Sequence, residues 1–208
     1  MILDATTKQA WNLFVYQHAK EMEKFIQTWD HKGCSQFILG KIKCDWKPSR
    51  RSSRGGMYTV DGIKQPGINI AMAGYVPRYG DPQRFYEYKS FDADKFIGGF
   101  YTNNMEHPLL AVVAHEVAHA IQFWLRYYNS TPIPKPHGKE FKKHYAKLRA
   151  VFVNPLLPDQ EEMGRTYREF KNIVVSQEIG TTVRKKITFR IAITKRTTSR
   201  ISCHDLVR

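Results

Sequence analysis

The stretch Val112–Trp124, VVAHEVAHAIQFW, constrains this chain more than any other, because it seats His115, Glu116 and His119 inside an apolar run. Leu109, Leu110, Val112, Val113, Val117 and Ile121 nearly encircle a helix here, which predicts a buried central helix. Pro108 suits its first turn, after Asn104 and His107. Three polar side chains buried without partners are costly, so such a helix must satisfy them or use them. Residues four apart differ by about 40° around a helix, so His115 and His119 project side by side. Two such imidazoles can ligate one zinc ion through ring nitrogens at about 2.0–2.1 Å. Glu116 lies about 100° round from His115, within reach of a metal-bound water without being a ligand. Zinc lowers the pKa of that water to about 7. The carboxylate would take its proton during attack on a peptide carbonyl and pass it to the leaving amine.

A zinc site of this kind needs a third protein ligand. The metzincin extension is absent, since Gln122 stands at its glycine position and Leu125 at its third histidine. A downstream Glu140, Glu161 or Glu162 would complete a gluzincin-type set. His137, which follows a proline-rich loop and opens HGKEFKKH, is another candidate, and His144 on the same helix face is the alternative to it. Cys34, Cys44 and Cys203 form no CxxC pair, which speaks against a disulfide framework and excludes a cysteine zinc ribbon. His18, His31, His107 and His204 read as surface or capping residues.

The flanks predict a mixed fold. Ala5 to Trp29 repeats Trp11, Phe14, Val15, His18, Met22, Phe25 and Ile26 at helical steps, with Gly33 as a stop. Gln36–Trp46, MYTVDG and GINIAMAGY read as strands, and QRFYEYKSFDADKFIGGFYTN as strand and loop whose aromatics are mostly core. KEFKKHYAKLRAVF predicts a helix ending near Asn154–Pro155. Beyond NPLLPD the composition changes. Gln160–Gln177 looks helical, and KITFRIAIT alternates as a strand with Ile187, Phe189, Ile191 and Ile193 on one face. A domain edge near Pro158 is therefore expected, dividing residues 1–157 from 158–208.

Charge adds a partner class. The chain carries 33 Lys+Arg against 19 Asp+Glu, and residues 135–208 alone hold 17 basic and 7 acidic residues. Such an excess favours polyanions. Two segments concentrate it: the loop with Lys47, Arg50, Arg51 and Arg54, and the tail with Arg184, Lys185, Lys186 and Arg190. Neither carries a base-reading motif, so sequence-independent DNA binding is expected. The start, MILDATTKQAW, lacks the basic and apolar regions of a signal peptide. The longest apolar run, PLLAVVA, is far short of the roughly 20 residues of a membrane span. A soluble, cytoplasmic protein without a membrane partner is expected.

HEVAH followed by His137-Gly138-Lys139-Glu140-Phe141 resembles the SprT-like metalloproteases, the Spartan-type protease domains with H-E-x-x-H followed by H-G-x-x-F. IKCDWKPSRRSSRGGMY is similar to that family's strand and Arg/Ser-rich turn, and GINIAMAGY to its strand before the active helix, so the likeness spans about residues 5–155. The resemblance implies an α+β, zincin-like domain with a small, mostly antiparallel sheet and a buried active-site helix, here with a basic C-terminal extension. It implies one zinc per chain held by His115, His119 and His137, with Glu116 as catalyst. It further implies a zinc endopeptidase acting on DNA-associated or DNA-crosslinked proteins in DNA repair. The chain departs from some relatives in lacking a cysteine ribbon after the protease domain. An alternative of another class is a non-catalytic nucleic-acid-binding protein with a structural zinc, a reading that gives Glu116 no task.

Overall fold

Two compact units, Met1–Met163 and Gly164–Arg208, make up the chain. The computed structural model describes residues 3–49, 52–73, 80–132 and 135–175. The first unit is α+β: helix α1 (Ala5–Gln27), strands β1 (Lys41–Asp45), β2 (Arg54–Val60) and β3 (Ile63–Ala71), a short pair β4 (Gln83–Phe85) and β5 (Phe100–Thr102), then helices α2 (Glu106–Tyr128) and α3 (Lys139–Leu148).

α1 starts where Asp4 accepts the backbone N–H of Thr7, and it buries Trp11, Val15, Ala19, Met22 and Ile26 along one stripe. The segment after it differs from the expected strand, which begins only at Lys41. Two α1 side chains claim the backbone that would otherwise pair. Gln27 donates to the Phe37 carbonyl at 2.8 Å, and the buried Glu23 accepts from Leu39 N–H at 2.6 Å. Gly33 is left-handed (φ 93°) and opens a short 3₁₀ turn, Cys34–Gln36.

The three-stranded sheet has the order β1-β3-β2, with β1 parallel and β2 antiparallel to the central β3. Asp61 and Gly62, both at positive φ, make the tight β2–β3 hairpin. β4 and β5 pair antiparallel, so two of the three ladders are antiparallel. The sheet's apolar face, through Ile68 and Ile70, joins one core with α1, α2 and α3.

α2 is the centre of that core. Asn104 accepts the N–H of Glu106 at its start, and thirteen of its residues are buried. It is long and apolar enough to cross a membrane, yet 78% of its most apolar window is buried inside the protein. α3 runs into a single π turn, Arg149–Val153, and a 3₁₀ turn, Asn154–Leu156, where a longer helix was expected. Residues 160–175 are helical, with Asp159 accepting the N–H of Glu162. The expected strand over KITFRIAIT lies outside the described residues.

Candidate metal centre and active site

His115 and His119 stand one turn apart on α2, and His137 faces them from the turn before α3. That turn is closed by the Gly138 N–H donating to the Lys135 carbonyl at 3.0 Å. His137 has φ 56°, a left-handed conformation uncommon for a residue with a side chain, though histidine is enriched among the exceptions. Strain of this kind, of order 1–3 kcal/mol, concentrates at functional sites. A Cβ at Gly138 would lie 2.9 Å from the same Lys135 oxygen, so the His-Gly pair acts as a device that turns the imidazole back toward α2. Phe141, one turn on, packs its ring against all three imidazoles, with centroids 4.8, 4.3 and 4.9 Å from His115, His119 and His137. Tyr88 stacks on His137 at 4.2 Å and 29°.

The Nε2 atoms of His115 and His119 each lie 3.0 Å from Nε2 of His137. Nε2 of neutral His137 carries either a proton or an in-plane lone pair, never both, so it cannot serve two imidazole nitrogens at this distance as donor to one and acceptor from the other. A cation between the three nitrogens removes that conflict. The donors of a tetrahedral zinc site with 2.0–2.1 Å bonds lie about 3.3–3.4 Å apart. The spacing here is close to that, and all three ligand atoms lie within 4.8 Å of one another. Burial, then the charge of His115, lowers the pKa of His119 to about 3 and that of His137 below its usual value. Both rings are thus kept in the neutral form that ligates metal.

Glu116 is 7% exposed. α2 meets β2 so closely there that a Cβ on Gly55 would fall 1.8 Å from the Glu116 carbonyl oxygen; only glycine admits the approach. Burial raises the Glu116 pKa to about 7, against the opposing pull of His115 and the Gly55 N–H. A carboxyl group tuned close to neutrality can both take and return a proton.

The other ligand candidates lie outside the histidine cluster. Glu140 pairs with Arg126 at 2.6 Å. Glu161 and Glu162 are exposed and lie outside the histidine trio. His144 is buried against Trp29, stacked at 5.4 Å, and is also outside the trio. Among the basic candidates, Lys47 and Arg54 are exposed. Arg54 lines a cavity of about 610 Å³ together with Gly55, Tyr58, Phe123, Arg126 and Tyr127. Arg50, Arg51, Arg184, Lys185, Lys186 and Arg190 lie outside the described residues.

Sequence reasoning missed Glu87. Its side chain is 6% exposed and places Oε1 3.2 Å from Nδ1 of His115. Burial raises its pKa, but hydrogen bonds from His115 and Tyr145 outweigh that, and the net shift is downward. The only trace in the sequence is a lone acidic residue between Tyr86 and Tyr88, in a stretch whose aromatics dominate its pattern.

Residues 97–162, which hold both the HEVAH helix and the HGKEF turn, match the SprT-like family. Neither the curated proteins nor the solved structures gave a match to the chain.

Proposed function

Taking the SprT-like segment over residues 97–162 as premise, we propose that this chain is a zinc-dependent endopeptidase acting on proteins associated with or crosslinked to DNA. The observation that carries the proposal is the convergence of three imidazole nitrogens beside the buried carboxyl of Glu116. His115, His119 and His137 are the residues that would hold the metal. Zinc bound there supplies Lewis acidity toward the scissile carbonyl and an acidified water.

The chain's own groups supply the rest. Glu116, set against Gly55 and out of bulk water, takes a proton from the attacking water and returns it to the leaving amide nitrogen. Phe141, fully buried, backs the three imidazoles from the core side and holds their spacing. Among the described residues β2 pairs with β3 alone, which leaves its outer edge available to an extended peptide. The cavity beside that edge gives a substrate side chain an aromatic and basic wall. A purely structural metal site gives Glu116 no role and is the weaker reading.

The DNA half of the proposal rests on the net charge of +14 and on the two basic segments. It is tested by zinc-loaded cleavage of a DNA-bound protein against the same protein free. Faster cleavage of the bound form supports it, and equal rates leave a basic peptidase indifferent to DNA. Metal content should be one zinc per chain, and a reproducible value of two would reveal another site.

A further inference from the structure

The loop between β4 and β5 is built to deliver one carboxylate. Asp92 accepts the Glu87 N–H at 2.7 Å through Oδ1 and binds Arg84 at 2.6 Å through Oδ2. Gly99 packs so tightly that a Cβ would lie 2.4 Å from Asp92 Oδ1 and 2.6 Å from the Phe85 carbonyl oxygen, which fixes the loop's closing end. The result is a Glu87 side chain that is almost fully buried, with one oxygen on Nδ1 of His115.

Its other oxygen accepts the hydroxyl of the fully buried Tyr145. That hydroxyl in turn accepts Nη1 of Arg149 at 3.1 Å, and Arg149 is 2% exposed. The guanidinium also donates to the Gly98 carbonyl at 3.2 Å and to Asn154 Oδ1 at 3.0 Å. A buried guanidinium and a buried carboxylate are each expensive alone, and here the phenol links them. Arg149 opens the π turn after α3, a deformation that is frequent at functional sites.

We infer that Glu87 is the positioning residue of the metal centre, with Tyr145 and Arg149 holding it against His115. The inference rests on the metal-site reading above. A carboxylate on Nδ1 requires the proton to sit there, so Nε2 keeps a free lone pair directed at the trio. It also fixes the ring plane and strengthens the donor. The contrast with His119 is direct: its Nδ1 is buried without a hydrogen-bond partner among the described residues. The amide of Gln122 lies close enough to affect its pKa, but falls short of hydrogen-bond geometry. His115 is therefore the anchored ligand of the α2 pair.

The test measures zinc affinity by chelator competition on the full chain, for wild type, Glu87→Ala, Glu87→Gln and Tyr145→Phe. Metal-free folding is monitored in parallel, and the visible spectrum is recorded with Co²⁺ in place of zinc. Losing an orienting partner typically lowers affinity about 10–100-fold, which is the expectation for Glu87→Ala. Glu87→Gln can still accept from Nδ1–H and should recover much of that loss. Tyr145→Phe should fall between wild type and Glu87→Ala, and the Co²⁺ bands should shift in Glu87→Ala. If Glu87→Ala does not fold, Tyr145→Phe decides. Wild-type affinity and unshifted bands in the folded variants, with at most a lower melting point, would reduce Glu87 to a structural residue and overturn the inference. A wild-type chain that binds no zinc would instead overturn the metal-site reading itself.

Discussion

Helix α2 and the 86–99 loop reach the same imidazole, His115, by opposite kinds of encoding. α2 sets its polar groups by periodicity: the 3.6-residue turn alone puts His115 and His119 side by side and Glu116 off to the flank. The loop sets Glu87 by bonds between residues far apart in sequence, with Asp92 gripping its backbone and Arg149 gripping Gly98 from 51 positions away. Chemistry carried by a regular element survives as a spacing; chemistry carried by a loop is visible only once its non-local partners are in place.

The largest effect expected from breaking the comparison falls on the helix. Glu116→Gln keeps the shape of the side chain and removes the base. Zinc content should therefore be unchanged while cleavage falls by about 10²–10⁴-fold, the usual contribution of general acid–base catalysis. Metal analysis and a casein or self-cleavage assay on the same preparation check it. Wild-type cleavage by this variant would assign the proton transfer elsewhere.

That division also explains how much of the molecule was legible. The α1 stripe and the burial of α2 were readable because each depends on near neighbours in sequence. The start of β1 was not, because Glu23 and Gln27 take up the backbone around Phe37 from another element. The candidate third ligand beyond α2 was one of several options on spacing alone, and the resemblance of His137-Gly138 to the family motif singled it out. The reason lies in a backbone turn: the left-handed His137 and the Cβ-intolerant Gly138 aim the ring. Phe141 of the same motif touches all three imidazoles, so its place in the pattern is a packing requirement.

The next largest effect sharpens the role of that turn. His137→Ala should weaken zinc binding by more than the roughly 10–100-fold expected for an orienting partner, since it removes a ligand outright. His144→Ala, seven residues on, should leave zinc affinity nearly intact, because that ring packs against Trp29. Chelator competition on both variants decides, and a reversed order would move the third ligand to His144.

A smaller effect should come from loosening the loop while leaving every ionisable group of the centre in place. Asp92→Ala frees the Glu87 N–H and the Arg84 guanidinium together. Lost hydrogen bonds to a charged group destabilise by about 1.5–3 kcal/mol. Chemical denaturation of the metal-free chain should show a loss on that order, with zinc affinity down by less than in Glu87→Ala. An Asp92→Ala protein as stable as wild type would show that the loop is held by its glycines and Arg149 alone.

The smallest effect separates two buried histidines that the fold treats alike. Burial is the main cause that takes the His119 pKa to about 3 and the His144 pKa to about 4. Both rings are neutral in the fold, whereas the unfolded chain protonates them near 6.5, so the fold's advantage is fully present above 6.5. It is lost as pH falls toward 4 and then 3, because the unfolded state binds the protons. Glu116 has the opposite sign: with its pKa raised to about 7, its contribution is present below 4.5 and fades as pH rises through 7. Between pH 7 and 5 each histidine contributes a loss of about 1–2 kcal/mol by linkage, and the two together outweigh Glu116. Denaturation midpoints of the metal-free chain should therefore fall on acidification. They should fall less in His144→Gln, which cannot take up that proton. With zinc bound the slope should steepen in both proteins, since the metal holds its ligands deprotonated in the fold alone. His144→Gln should leave this zinc-dependent increment untouched, because His144 stands apart from the trio. An increment that shrinks with His144→Gln would couple the Trp29 pocket to the metal centre and erase the distinction between the two rings.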